Sequence, residues 1–394
     1  MTVYLDHAAT TPMTAEALAA FTAALQTVGN PSSIHSAGQH AKMLLEDGRA
    51  AVARSLDADP VEVVFTSDGT ESINLAVKGM FWARQQERPR PRIVVPAGEH
   101  HATVDTVEWL ARHEGAVVDV VPLDAQGRVD TAALEARLAS ADDVALVTFL
   151  WANNEVGTIQ PVRQIVDAAH AAGVPVHSDA VAAYGQVPVS FRDSGLDALS
   201  VSAHKVGGPV GAGALVLGRR ATVEALIHGG GQQRQVRSGT QDAPAAAAFG
   251  AAASAIAADG SVLHPEVRAL RDRLVAGVRA TVPSAVLMGD PVDRLPGNAH
   301  FTFPGCEGDS LLFLLDAAGV AVSTGSACQA GVPEASHVLL AMGLSEADAR
   351  GALRITLGHT STHADVDAFL AALPDAVARA SAAGMAAREP VLGR

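Results

Sequence analysis

The sequence predicts an α/β protein: a large domain with a mostly parallel, doubly wound sheet, followed by a smaller C-terminal αβ domain. Three observations carry that expectation. From Val61 onward, short β-branched runs alternate with helical stretches, the pattern of strands joined by helical crossovers. Turns rich in glycine and polar residues fall at the ends of those runs, where open α/β sheets carry their functional loops. The chain has 394 residues, 48% hydrophobic and 18% charged, enough apolar material for two cores and too long for one simple core.

Taken in order, residues 61–66, 92–96, 117–122, 144–151, 174–178 and 198–202 read as strands. Residues 71–86, 102–114, 131–139 and 162–172 read as the helices between them. After Pro244 an alanine-rich helical stretch runs to about Ala280, and a second αβ pattern follows. In it 298–303, 320–323 and 352–357 read as strands, and 310–317, 333–342 and 364–383 as helices. The expected division is a large domain over 14–255 and a small one over 1–13 and 256–394. No internal repeat or low-complexity linker interrupts this order, and the residues after Gly384 are expected to fray.

The 28 basic and 42 acidic residues give a net charge of −14, which argues against a nucleic acid as primary ligand, since phosphate binding rests on clustered Lys and Arg. The one basic cluster, Arg84 to Arg92, reads as a solvated helix end and loop. The N-terminal residues lack the basic start and apolar centre of a secretory signal. The longest apolar stretch, 243–258, is mostly alanine and is broken by Pro244 and Gly250, short of the roughly 20 apolar residues that span a membrane. A cytoplasmic location is expected, with Cys306 and Cys328 as free thiols. Two cysteines exclude a four-cysteine zinc cluster and no histidine pair has ligand spacing beside them, so no metal is expected.

The chemistry centres on Leu199-Ser200-Val201-Ser202-Ala203-His204-Lys205-Val206-Gly207-Gly208-Pro209, a strand that breaks into a glycine-rich loop at a lysine. On an extended segment Ser202 and His204 point to one side, and Ala203 and Lys205 to the other. A turn at Lys205 brings the three polar groups to one mouth. Upstream, Val174-Pro175-Val176-His177-Ser178-Asp179 ends in an acid. A strand-end aspartate followed on the next strand by a strand-end lysine is what a pyridoxal 5'-phosphate (PLP) site needs. The lysine holds the aldehyde as a Schiff base and the carboxylate keeps the pyridine nitrogen protonated.

Ser202-Ala203-His204-Lys205, with Asp179 before it and Arg237-Ser238-Gly239-Thr240 after it, resembles the fold-type I, class V aminotransferase group of PLP-dependent transferases. Within that group the chain is similar to the cysteine desulfurases of the NifS and IscS type. The resemblance runs from Tyr4-Leu5-Asp6-His7-Ala8-Ala9-Thr10-Thr11-Pro12 to Leu353-Arg354-Ile355-Thr356-Leu357-Gly358, nearly the whole chain. It implies that Gly69 and Thr70, in Ser67-Asp68-Gly69-Thr70-Glu71-Ser72, belong to a phosphate-cradling turn, with Thr70, Ser202 and His204 as phosphate contacts. Read alone, that turn is a helix start with Thr70 as its cap, or an anion site of backbone N–H groups. Asp68, uncomfortable near a dianion, is expected to point outward.

The resemblance also implies that His100, in Glu99-His100-His101, stacks on the pyridine ring and relays protons. His101 is the less favoured occupant, and either histidine reads equally as a satisfied surface residue. Asn154, in Trp151-Ala152-Asn153-Asn154-Glu155, would meet the cofactor's phenolic oxygen and the substrate, unless the segment is only an Asx-rich turn. The glycine-rich stretch 228–240 reads as a flexible surface loop. By resemblance it reaches a second subunit and places Thr240 at the partner's phosphate site, which implies a homodimer. Asn30-Pro31-Ser32-Ser33-Ile34-His35 matches an entrance motif without giving His35 a role. One position departs from the family, where a glutamine commonly stands three residues after the aspartate. Here Ala182 stands there, which predicts a perturbed cofactor pKa or a water in its place. Gln186 lies too far along the chain to be taken as a substitute.

Cys328 lies in Ser323-Thr324-Gly325-Ser326-Ala327-Cys328-Gln329-Ala330-Gly331, a run of small residues that suits an accessible thiolate better than a packed core. The resemblance makes it the sulfur-accepting cysteine on an extended loop. Cys306 reads as structural. Arg354 lies between Leu353 and Ile355, where burial is expensive without a partner. A substrate carboxylate offers a bidentate one, the role the resemblance implies, and an edge-strand arginine facing solvent is the alternative. His359 stands where some relatives have a second arginine.

The combined expectation is a homodimeric enzyme that takes sulfur from L-cysteine, leaving L-alanine and a persulfide on Cys328. Lys205 acts as general base, and the sulfur passes to an acceptor such as an iron–sulfur scaffold or a tRNA-thiolation enzyme. Three alternatives stay open. One is a selenocysteine lyase or other class V aminotransferase-like enzyme. Another is a weakly active sulfur-transfer scaffold. The third is a nucleotide-binding protein, which would lack both a G-x-G-x-x-G fingerprint and a P-loop.

Overall fold

The structure, a computed structural model, describes residues 2–86, 88–259, 265–325 and 335–386. Its strands are β1 (Val3–Tyr4), β2 (Val63–Thr66), β3 (Arg92–Pro96), β4 (Val117–Val121), β5 (Val144–Leu150), β6 (Val176–Asp179), β7 (Ala198–Ser202), β8 (Gly213–Leu217), β9 (Val286–Met288), β10 (Asn298–Thr302), β11 (Val320–Ala321) and β12 (Ala352–Thr356). Seven of them form one sheet in the order β2-β8-β7-β6-β5-β3-β4. The inner pairs β7/β6, β6/β5, β5/β3 and β3/β4 are parallel. β8 is antiparallel to both of its neighbours, because the turn between β7 and β8 is too short for a parallel crossover.

Alternate residues of each central strand feed two different cores, the reason both faces need helices. Ile93, Val95 and Leu146 pack with Ile73, Leu75, Val107 and Leu110 on one face. Val94, Val147 and Phe149 pack with Leu45, Ile165, Val166 and Phe249 on the other. All seven residues of β5 are buried, apolar but for Thr148, the near-continuous apolar run expected of a strand covered on both sides. At about 1.5–3 kcal/mol per buried large side chain, a charge at Val147 would break this layer.

A second sheet, β12-β10-β9, is antiparallel. Its core joins Phe301, Phe303, Leu353 and Ile355 to Leu311, Phe369 and, from the chain start, Leu5. β1 pairs in parallel with β11, so the N-terminal segment belongs to this part of the molecule.

The elements differ from expectation in several places, and β8 and β9 answer to no expected strand. The helix expected from 243 to 280 is two, Ala243–Asp259 and Pro265–Thr281, the second opening on a proline, whose missing N–H is harmless there. The helix expected at 333–342 is described only over His337–Ala341, and the strand at 320–323 shortens to β11. Helices Ala15–Leu25 and Ser36–Ser55 had no counterpart in the pattern from Val61 onward. Among the described residues, no helix is long and apolar enough to cross a membrane.

Candidate active site

β6 and β7 are parallel neighbours, with Asp179 opposite Ser200, so the aspartate and the lysine that follows β7 emerge at one end of the sheet. Residues Ala203–Lys205 form a single 3₁₀ turn, so the strand alternation stops at Ser202. Gly207 continues with φ +78°, in the left-handed region that glycine tolerates. Lys205 Nζ donates to the carbonyls of Ala8 and Ala9, the latter at 2.9 Å. Burial, then the Arg354 charge, lower the amine to about 8, against the opposite pull of Asp6 and Asp179. Asp179 is 2% exposed, and Oδ1 accepts the Val181 N–H at 2.9 Å. Burial raises it to about 6, opposed by that hydrogen bond and by Lys205. An amine pushed toward neutrality and a carboxyl pushed toward protonation lie close enough to act on each other's charge, a pairing of perturbed groups common at reactive sites.

Ser202 Oγ is buried without a partner. His204 turns its Nδ1 to Thr10 Oγ1 at 3.2 Å, and burial, with the Lys205 charge, lowers it to about 4. Gly69 opens helix Gly69–Gln85 beside these groups. A Cβ there would lie 2.6 Å from Val181 Cγ2 and 3.7 Å from Ser202 Cβ, so a side chain at this position would have to displace Val181. Thr70 is exposed next to it. The helix cap is Asp68, whose Oδ1 accepts the Glu71 N–H at 2.7 Å. Asp68 therefore turns back onto the helix instead of facing outward, and Thr70 is not the cap.

His100 caps helix His101–Glu114 by accepting the Ala102 N–H on Nδ1 at 3.0 Å. It is exposed at the mouth of the site, yet protein crowds the rest of its ring. Desolvation first, then Lys205, His101 and His337, lower it to about 4. His101 instead meets His337 edge-on, with ring centroids 5.0 Å apart. His35 caps helix Ser36–Ser55 through Gly38, and Cys306 is buried in the second core. Cys328 lies outside the described residues.

Arg354 sits in β12 opposite His300 and is 5% exposed, so the solvent-facing alternative does not hold. Nη2 pairs with Asp6 Oδ1 at 3.0 Å, and Nη1 donates to the Asn154 carbonyl at 3.0 Å. Nε is buried without a partner. Asp6 escaped sequence reasoning because nothing local links it to an arginine 348 residues away. Its only signal was the Tyr4–Pro12 motif that carries it.

Lys205, Asn154, His7, Ala8, Ala182 and Gln186 line one cavity. Thr240 is exposed, outside this group. Its loop is not free, however. The Gln233 amide accepts from Phe65 N–H at 2.8 Å and donates to Phe65 O at 2.6 Å, and Arg237 pairs with Glu71 at 2.9 Å. A side chain thus continues the hydrogen bonding of β2, which corrects the flexible-loop expectation.

Residues 3–369 match the class-V aminotransferase family. The chain is 55% identical over 388 residues to an IscS-like cysteine desulfurase of Mycobacterium tuberculosis, covering 98% of both chains. It is 43% identical to a cysteine desulfurase of Cereibacter sphaeroides, covering 95% of each. The solved structure of a NifS-like protein superposes with a TM-score of 0.89 at 34% identity, over 96% of this chain and 100% of that one. With a strand-end lysine facing a buried aspartate on the same sheet, the chain belongs to the class-V aminotransferase family, among its cysteine desulfurases of the IscS and NifS type.

Proposed function

We propose that this protein is a PLP-dependent cysteine desulfurase that takes sulfur from L-cysteine, releases L-alanine and carries the sulfur on Cys328 to an acceptor protein. The observation that carries the reading is the placement of Lys205, an amine near neutrality, at the sheet end where Asp179 is buried with a single backbone hydrogen bond. These residues fit PLP. Among the described residues Asp179 has no cationic donor within hydrogen-bond reach, which a protonated ring nitrogen would be. Among the described residues Ser202 Oγ has no hydrogen-bond partner, which a phosphate would be, and Gly69 lets the turn lie close against Val181. Lys205 and Asp179 would hold the aldehyde and ring ends; Gly69, Thr70, Ser202 and His204 the phosphate; His100 and Asn154 the ring's surroundings. When bound, PLP supplies a sink for the electron pair released at the substrate Cα.

The remaining steps belong to the chain. Arg354, neutralised by Asp6 and anchored on Asn154, presents its remaining N–H groups to the substrate carboxylate. Lys205, lowered toward 8 by burial, takes the Cα proton at Nζ, since a base works best with a pKa near the working pH. The imidazole of His100, lowered to about 4, stays neutral beside it. Cys328 Sγ, as thiolate, attacks the substrate sulfur. An S–S bond forms, the C–S pair stays with Cβ, and Cβ takes a proton to become the methyl of alanine.

The working form is a homodimer in the cytoplasm. Leu25, Val28 and Ile34 are exposed in one stretch of chain, apolar surface that suits a partner. Thr240, exposed, would complete the phosphate site of a second subunit. The acceptor is a thiol-bearing protein of iron–sulfur assembly or tRNA thiolation. An assay of sulfide and alanine from L-cysteine tests the reading. Cys328→Ala is expected to keep the yellow colour and lose sulfur release; unchanged release would remove Cys328 from the reaction.

A further inference from the structure

The cavity beside Lys205 has an amide on its wall that one turn of chain delivers. Tyr184 N–H donates to Ala180 O at 2.8 Å and Val187 N–H to Ala183 O at 3.0 Å, so residues 180–187 fold back in consecutive hydrogen-bonded turns. Ala182 and Gln186 both line the cavity with Lys205 and Asn154. Gly185 fixes this arrangement. Its φ is +74°, and a Cβ there would lie 2.5 Å from Val206 Cγ1, on the residue after Lys205. The turn is thereby pressed against the lysine loop with Gln186 next to it. The Gln186 side chain makes no hydrogen bond among the described residues, while Ala182 offers only a methyl. The cavity, of about 40 Å³, holds the end of a side chain or a water.

We infer that Gln186 supplies the side-chain amide hydrogen bond to the cofactor oxygen beside Lys205, in place of position 182. The separation of seven residues from Asp179, which argued against it in the sequence, is closed by the turn. The inference rests on the PLP reading, and its test separates the two. Gln186 donates to an oxygen that carries negative charge, so it stabilises the deprotonated form of the cofactor and lowers the pH at which the bound colour changes.

The test is a pH titration of the visible absorbance of the cofactor-loaded protein. It compares wild type with Gln186→Met, which keeps length and packing but has no donor, and with the double variant Ala182→Gln/Gln186→Met. A hydrogen bond to a charged group corresponds to about one to two pH units. The midpoint should rise by that amount in Gln186→Met and return toward wild type in the double variant. A folded Gln186→Met protein that loses colour, regained in the double variant, counts the same way. Equal midpoints in wild type and Gln186→Met overturn the inference, and so does a shift that the double variant fails to reverse, which is the signature of repacking. A wild-type protein that never takes up the coloured cofactor defeats the PLP reading instead, before any variant is compared.

Discussion

Asp179→Asn separates what the site needs for its cofactor from what the fold needs. The substitution keeps the shape and the acceptor for the Val181 N–H but removes the charge. In cofactor-free protein the buried carboxyl titrates at about 6 instead of 3.8, roughly two units at about 1.4 kcal/mol each. Because the folded-state value is the higher one, the folded chain keeps this proton where the unfolded chain has lost it. The group's favourable contribution is complete below the unfolded value and is lost as pH rises through 6. At pH 7.5 the ionised carboxylate therefore costs the empty fold about 3 kcal/mol. Urea unfolding of cofactor-free protein, at one protein concentration, should show Asp179→Asn more stable than wild type at pH 7.5 by up to about 3 kcal/mol, and by about half as much at pH 5. With PLP loaded the order should reverse, since asparagine cannot hold a proton on the ring nitrogen. An Asp179→Asn protein less stable than wild type when empty, or a gain identical at both pH values, would refute the reasoning.

Two further outcomes follow from the same groups. PLP uptake by cofactor-free protein requires neutral Lys205, so its rate should rise about tenfold per pH unit below a midpoint near 8 and level off above it. Asp6→Asn, which removes a charge that raises Lys205, should move the midpoint down, and Arg354→Met, which removes one that lowers it, should move it up; a rate flat in pH contradicts both. Ser202→Ala removes a buried hydroxyl without a partner. It should leave the empty protein more stable by about 1 kcal/mol while weakening PLP binding. Calorimetry of empty and loaded protein reads the two effects, and a change of the same sign in both would contradict the role given to Ser202.

Much of this architecture is legible in one sequence, because it is written in local periodicity. The runs at 92–96, 117–122, 144–151 and 198–202 became β3, β4, β5 and β7 through β-branched composition, and the strand-end positions of Asp179 and Lys205 followed. What stayed hidden depends on contacts between distant parts of the chain. Arg354 finds Asp6, and Lys205 finds the carbonyls of Ala8 and Ala9, because the N-terminal segment pairs with β11 and bridges to β12 at Thr356. Gln233 reads as part of a glycine-rich loop until β2 stands beside it. The nearness of Gln186 to Lys205 depends on how residues 180–187 turn, and composition does not fix that turn. Asp68 and Thr70 are both good helix caps by residue type, and the chain direction at Gly69 decided between them.

The most direct measurement is borohydride reduction of the yellow protein followed by peptide mapping. The account predicts a single pyridoxyl group on the peptide that contains Lys205. A reduced adduct on any other lysine, or none on a protein that still releases alanine from L-cysteine, would contradict it.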